Sequence, residues 1–252
     1  MGKSHIVYGI HAVLEAIRSG KELERIILKK EFSGPALGEI LKYCREHHVP
    51  YQLVPPVRLD KITGKNHQGV IAFLSEISYQ PIEQIVPQLF EEGQTPFFLV
   101  LDHITDVRNF GSIARTAECA GVHALIVPEK GSALINADAI KTSSGALHTI
   151  NVCRVPSLVN TLKFLKDSGI MLYAASDKGT HLYTEVDFSK PVAIVIGSEG
   201  RGISTEILRL SHSQIRIPVL GKISSLNAAV ATGIILYEKV RQQLAAIPAP
   251  EK

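Results

Sequence analysis

The chain has 252 residues, 45% hydrophobic and 20% charged, with a formal net charge of +3, and reads as an ordinary soluble globular protein able to bury one or two cores. Cys44, Cys119 and Cys153 lie far apart without a CxxC pair, which argues against a disulfide framework and a metal site and for a reducing, cytoplasmic setting. No apolar run approaches the roughly 20 residues of a membrane span, and "MGKSHIVYGIHAVLEAI" has neither a signal-peptide core nor, with Ile at position 6, a myristoylation pattern.

In chain order, residues 1–75 alternate helix and strand. An amphipathic "GIHAVLEAIRSG", closed by Gly20, precedes strand "RIILKK"; helix "PALGEILKYCREHH" precedes strand "YQLVP"; a short helix "VRLDKITG" leads to strand "GVIAFL". This is a small α/β domain. It holds 11 Lys and Arg against 7 Asp and Glu, and five of the ten His. On its own such an imbalance is more often solvated surface than a nucleic-acid footprint. Next comes "SYQPIEQIVPQLFEEGQTP", polar and punctuated by Pro81, Pro87, Gly93 and Pro96, which reads as a linker over 76–95 with one helix-like piece.

A second domain, 96–246, carries strands "FFLVLD", "ALIVP", "NVCRV", "MLYAAS", "VAIVIG" and "QIRIPV" between helical patterns. Continuous apolar strands joined through helices predict a mostly parallel sheet flanked by helices on both faces. Ligands of such sheets bind beyond the carboxyl ends of the strands, and three post-strand segments stand out. In "LDHITDVRNFGSIARTAECAGV", Asn109 can cap a helix, Gly111 permits close backbone approach, and Arg115 is either a surface ion-pair residue or a fork for phosphate or ribose. "VAIVIGSEGRGIS" places Gly197, Gly200 and Gly202 where backbone can pack against a nucleoside-like ligand, with Glu199 as a helix-terminus carboxylate or a ligand to substrate donors. In "GKISSLNAAVATGIILYE", Ser225 or Asn227 caps an apolar helix, with Val230, Ile234, Ile235 and Leu236 at core spacing.

Taken together, "NFGSIARTAECAGV", "VIGSEGRGIS" and "IPVLGKISSLNAAVATGIILYE" resemble, in order and spacing, the SpoU (TrmH) family of RNA ribose 2′-O-methyltransferases of the SPOUT superfamily. "YGIHAVLEAI" and "HQGVIAF" resemble the N-terminal domain of the branch that methylates guanosine in large-subunit (23S) ribosomal RNA. The resemblance implies a trefoil-knotted catalytic domain, S-adenosylmethionine as cofactor, and a homodimer formed through that domain. The small first domain would be a ribosomal-protein-like RNA-binding fold. The family's cofactor contacts fall on Gly197, Ile217 and Leu226, and its catalytic positions on Asn109, Arg115, Glu199, Ser225 and Asn227. The sequence departs from many relatives at Val107, where they carry Pro.

The implied reaction is attack of a ribose 2′-oxygen on an activated methyl group. A guanidinium with a pKa above about 12 is a poor proton acceptor, so Arg115 is expected to bind phosphate and stabilise the developing oxyanion. Arg18, Lys21, Arg25, Lys29 and Lys30 are the candidates for RNA contact in the first domain. A nicotinamide-dependent enzyme is disfavoured because no GxGxxG follows the first strand of either domain. A transfer-RNA ribose methyltransferase and a non-catalytic RNA-binding or ribosome-assembly factor remain the alternatives.

Overall fold

The structure, a computed structural model, describes residues 6–246. Chain contacts divide it into two units: one runs to Ser78 and includes Leu134–Asp138, the other comprises Tyr79–Ala133 and the chain from Ala139 onward.

The first unit contains β1 (Ile6–Tyr8), α1 (Ile10–Arg18), β2 (Leu23–Lys29), α2 (Pro35–Glu46), β3 (Tyr51–Val54), α3 (Pro56–Asp60) and β4 (Val70–Leu74). Its sheet has the order β1-β4-β2-β3, with only β2 and β3 parallel. Alternation along β2 sends Ile26 and Leu28 into one core with Val13, Ile40 and Cys44 from α1 and α2. Ile27 goes to the opposite face, with Leu59 and Ile71. Strand β1 is too short for alternation to mark it, and the sequence reading missed it.

The second unit contains α4 (Ile82–Glu91), β5 (Phe97–Asp102), α5 (Val107–Cys119), β6 (Ala124–Pro128), α6 (Ala137–Thr142), β7 (Asn151–Val155), α7 (Leu158–Asp167), β8 (Met171–Ala175), β9 (His181–Leu182), β10 (Val192–Gly197), α8 (Thr205–Leu210), β11 (Ser213–Arg216) and α9 (Ala228–Ala245); the first residues of α6 cluster with the other unit. The seven strands lie in the order β7-β6-β5-β10-β8-β11-β9, and every pairing is parallel. Side chains of β5 are buried along its whole length because both faces are covered, which is why it appears as an unbroken apolar run.

Two expectations about boundaries change. Ile82, Ile85, Val86 and Leu89 of α4 pack in the core with Val100, Ile126 and Val195, so the segment expected as a linker supplies one covering helix of the second unit. The second domain, expected as a continuous stretch over 96–246, is also not contiguous: Leu134–Asp138 cluster with the first unit, where buried Glu24 accepts a hydrogen bond from the Ile135 N–H at 2.8 Å.

The strand order matters for the site. From β5 the chain proceeds outward through β6 and β7, then crosses to form β8 and β10 on the other side, so β5 and β10 flank a switch point. Crevices form beyond the carboxyl ends of strands at such a point. Asp102 and Gly197 are register partners there, at the ends of β5 and β10.

None of the three cysteines is joined in a disulfide; Cys44 and Cys153 are buried and Cys119 is exposed. Burial pushes the Cys153 thiol up to about 12, leaving almost no thiolate near neutrality. A maleimide applied to the native protein at about pH 8 is therefore expected to label Cys119 alone, and all three cysteines after denaturation. Mass spectrometry of the labelled peptides checks this.

Candidate active site

Helix α5 begins three residues earlier than expected. Asp106 is its N-cap, with Oδ1 accepting from the Asn109 N–H at 2.7 Å. Asn109 is thus the third helical residue, not the cap, and its amide side chain is released for tertiary contacts. Val107 occupies the first helical position, where a proline's missing N–H and fixed φ cost nothing. A proline, which the family resemblance places there, would therefore fit this position. Val107→Pro is expected to raise the unfolding midpoint by about 1–4 °C, measured by thermal unfolding, through loss of unfolded-state entropy.

Gly111 is needed for helix packing. A Cβ there would lie 2.7 Å from Thr142 Cβ and 2.9 Å from Ala139 O. Gly197 has a similar structural duty: its Cβ would lie 2.3 Å from the backbone carbon of Gly202. The loop after β10 therefore folds back on its own backbone, closed by Gly202 N–H donating to Ser198 O at 2.8 Å and by Gly202 at φ +66°. The close approach expected toward a ligand is, at Gly197, an approach of the loop to itself.

The three segments meet around Glu199. Its Oε1 accepts from Asn227 Nδ2 at 2.7 Å, the Ala228 N–H at 3.2 Å and Asn109 Nδ2 at 3.3 Å. Asn227 Nδ2 also donates to Asn109 Oδ1 at 2.9 Å. Meanwhile Asn227 Oδ1 caps α9, accepting from the Ala229 and Val230 N–H groups at 3.0 and 3.3 Å. One side chain therefore does two jobs: its oxygen caps α9 and its nitrogen joins the loop after β10 to the first turn of α5. The carboxylate also sits at a helix N-terminus, where the partial positive charge favours it.

Beside this cluster opens a cavity of about 360 Å³, beyond the ends of β8, β10 and β11. Gly197, Glu199, Ile217, Ser225 and Leu226 line it. Ile196, Ile203, Ile215 and Ile235 make its apolar wall, and Ser176, Asp177 and Lys178 its rim. The volume falls in the range of about 300–1,000 Å³ typical of small-ligand pockets. The rim residues after β8 were missed, although the rule that ligands gather after strands points to "MLYAAS" as much as to the other segments. Strand β11 stops at Arg216, so Ile217 lies in the following loop, before Pro218, which has no N–H for a ladder. In α9, Ala228, Thr232 and Ile235 form the buried stripe. Val230, two residues (about 200°) round from Ala228, is 53% exposed instead of core.

Arg115 stands apart. Six residues beyond Asn109, it is rotated by about 240° on α5 and does not line the cavity. It is exposed and makes no hydrogen bond or ion pair among the described residues. The basic residues of the first unit are not uniformly free. Arg18 donates twice to Glu39, at 2.9 and 3.0 Å, a pairing that raises its pKa. Arg25 lies 4.2 Å over the Phe73 ring, its pKa lowered by burial, and the Lys29 stem covers Gly69. Lys21 and Lys30 are exposed.

A fully parallel sheet with a ligand-sized cavity at its switch point, edged by a fixed amide–carboxylate cluster, defines an α/β enzyme that acts with a small bound molecule. The chain belongs to the SpoU rRNA Methylase family, which matches residues 96–237, while residues 6–80 match the RNA 2′-O ribose methyltransferase substrate-binding family. A Staphylococcus saprophyticus protein named for the TrmH family of tRNA/rRNA methyltransferases is 35% identical over 94% of this chain and 96% of its own. A Bacillus subtilis protein of the same naming is 31% identical over 96% and 98%. Among solved structures, the SpoU methyltransferase AviRb of Streptomyces viridochromogenes with bound S-adenosylmethionine is similar at 27% identity and TM-score 0.61, covering 96% of this chain and 91% of that one. An A. aeolicus TrmH/SpoU tRNA-modifying enzyme matches 65% of this chain and 85% of its own, at 30% identity and TM-score 0.55.

The protein is thus an RNA methyltransferase with the SPOUT fold and uses S-adenosylmethionine. The cavity suits that cofactor: an isoleucine-rich wall for the adenine, hydroxyl and backbone groups for the polar parts, and the carboxylate of Asp177 for positive charge.

Proposed function

We propose that the chain methylates the ribose 2′-hydroxyl of a guanosine in large-subunit (23S) ribosomal RNA, in the cytoplasm, as a homodimer joined through the second unit. The observation that carries this reading is the Asn109–Glu199–Asn227 cluster fixed at the edge of the cavity. Bound S-adenosylmethionine supplies a methyl group activated on a sulfonium centre. Gly197, Ile217 and Leu226 would hold it, as parts of the cavity wall.

The chain's own residues then have to place the ribose. Ser225 is exposed on the cavity rim and can bond a ribose hydroxyl, while the cluster fixes the entrance of α9 beside it. Arg115 has its guanidinium donors uncommitted, which suits a substrate phosphate and the charge developing on the 2′-oxygen. Orientation is worth about 7–11 kcal/mol, against the roughly 10²–10⁴-fold of a general base, so placement can carry most of the acceleration without a strong proton acceptor.

A 2′-hydroxyl target makes RNA, not DNA, the substrate. The match of the first unit to an RNA substrate-binding family supports RNA contact there, with Lys21, Lys30 and the face around Arg25 as phosphate contacts, and the rRNA naming of the family matched by residues 96–237 favours a ribosomal target. Transfer RNA is the second reading, favoured by the relatives' tRNA/rRNA naming. Dimerisation is supported by Leu220, Ile223, Val230, Tyr237 and Leu244, exposed by 98, 78, 53, 50 and 63% on α9 and the loop before it. Among the described residues no helix is long and apolar enough to cross a membrane, and no group of three His, Cys, Asp or Glu could hold a metal.

The test is transfer of labelled methyl from S-adenosylmethionine to unmodified ribosomal and transfer RNA, with mapping of the modified nucleotide. A 2′-O-methylguanosine in large-subunit RNA is expected. Incorporation into transfer RNA alone would select the second reading, and none into either would select a non-catalytic RNA-binding factor.

A further inference from the structure

We propose that Asp102 is a positioning residue of this site, its buried carboxylate latching the cavity-lining loop, residues 198–204, to the end of β5. The inference rests on the reading of that cavity as the cofactor site. Asp102 is 3% exposed and stands in register with Gly197, the last residue before the loop. A carboxylate buried at a strand end must find donors within the protein.

It finds them at the far end of the loop. Oδ2 accepts from the Ser204 N–H at 2.7 Å and from Ser204 Oγ at 2.6 Å. His103 Nε2 approaches Oδ1 and Ser204 Oγ, each at 3.5 Å. His103 adopts the left-handed conformation at φ 59°, uncommon for a residue with a side chain, and its ring lies against Gly131, where a Cβ would come within 3.4 Å.

Ser204 shows what is given up for this arrangement. It occupies the N-cap position of α8, yet its hydroxyl makes no capping bond because it is directed to Asp102. A serine that forgoes capping its own helix to bind a carboxylate on a neighbouring strand ties the two elements together. The near end of the loop is pinned by Ser198, whose O accepts from the Gly202 N–H at 2.8 Å and whose Oγ accepts from the Arg201 N–H at 3.2 Å. Between these anchors sits Glu199, which reaches Asn109 and Asn227. Asp102 therefore holds the loop's cavity-facing backbone in place and keeps Glu199 in register with the other two segments, without itself lining the cavity.

The test uses the full chain with Asp102→Asn and Ser204→Ala. Hydrogen exchange of the 199–204 amides, read without ligand, is expected to quicken about tenfold in Asp102→Asn and by a smaller factor in Ser204→Ala, which keeps the backbone donor. The Kd for S-adenosylhomocysteine is expected to rise about tenfold and about threefold, respectively. The KM for S-adenosylmethionine should rise in parallel, and kcat should fall with it, because Glu199 loses its register with Asn109 and Asn227. A residue that only supports folding would lower the active fraction, and so kcat, with Kd unchanged; that pattern would overturn the proposal, as would unaltered exchange. If Asp102→Asn fails to fold, Ser204→Ala decides by the same two readouts. If the wild-type chain binds no S-adenosylhomocysteine, the reading of the cavity fails, and the exchange result still decides whether Asp102 latches the loop.

Discussion

Arg115→Ala is expected to lower kcat for methyl transfer by at least about 10²–10³-fold, the usual loss when one preorganised donor to a developing oxyanion is removed. Stability should hardly change. Arg115 is exposed and unpartnered among the described residues, and surface substitutions of that kind stay within about 0.5 kcal/mol. The Kd for S-adenosylmethionine should also be preserved, because Arg115 does not line the cavity. Binding by calorimetry and single-turnover transfer with saturating cofactor separate these effects. Arg115→Lys keeps the charge but loses the planar fork, so it should recover only part of the rate. Retention of full turnover by Arg115→Ala would remove the residue from the mechanism. A rise in RNA KM with unchanged kcat would assign it to phosphate binding alone.

How legible this site was depends on the kind of interaction involved. Strands β5, β6 and β10 are covered on both faces, so their burial is written as apolar runs, and the segments that follow them could be picked out without a structure. The association of Asn109, Glu199 and Asn227 could be inferred only as a convergence at one sheet edge. Their bonds join positions 90, 118 and 28 residues apart. Local ambiguity hid other details. In "TDVRN" both Asp106 and Asn109 are good caps, and only the backbone path shows that Asp106 takes the position. Pro87 read as a break, yet α4 continues through it because its Ile82, Ile85, Val86 and Leu89 stripe is buried in the core. The glycines after β10 suggest backbone packed against a ligand, whereas the close contact the structure shows at Gly197 is with the backbone of Gly202, which no local pattern encodes. Asp102 was overlooked although a carboxylate closing the run "FFLVLD" is an anomaly that calls for a partner.

Asn227 offers the sharpest separation of structural from functional roles, because its two side-chain atoms do different work. Removing the cap in Asn227→Ala should cost about 0.5–2 kcal/mol of stability. Against a total of about 5–15 kcal/mol, that loss leaves nearly all molecules folded at 25 °C, so a cap alone predicts almost unchanged activity. The structure predicts more. Losing Nδ2 takes from Glu199 its shortest hydrogen bond, 2.7 Å, and from Asn109 its 2.9 Å partner, freeing the α9 entrance that carries Ser225 and Leu226. A fall in kcat of about 10²-fold is expected, the scale on which small misplacements of reacting groups act. Asn227→Asp is the decisive companion. It retains an oxygen to cap α9, so its unfolding midpoint should stay near that of the wild type at low pH. Near neutrality it sets a second carboxylate against Glu199 and has no donor for it. Equal loss of activity in both variants, with stability at low pH lost mainly in Asn227→Ala, would show that the amide nitrogen joining Glu199 to α5, and not the helix cap, is what the reaction requires. Full activity in Asn227→Asp would reduce Asn227 to a cap.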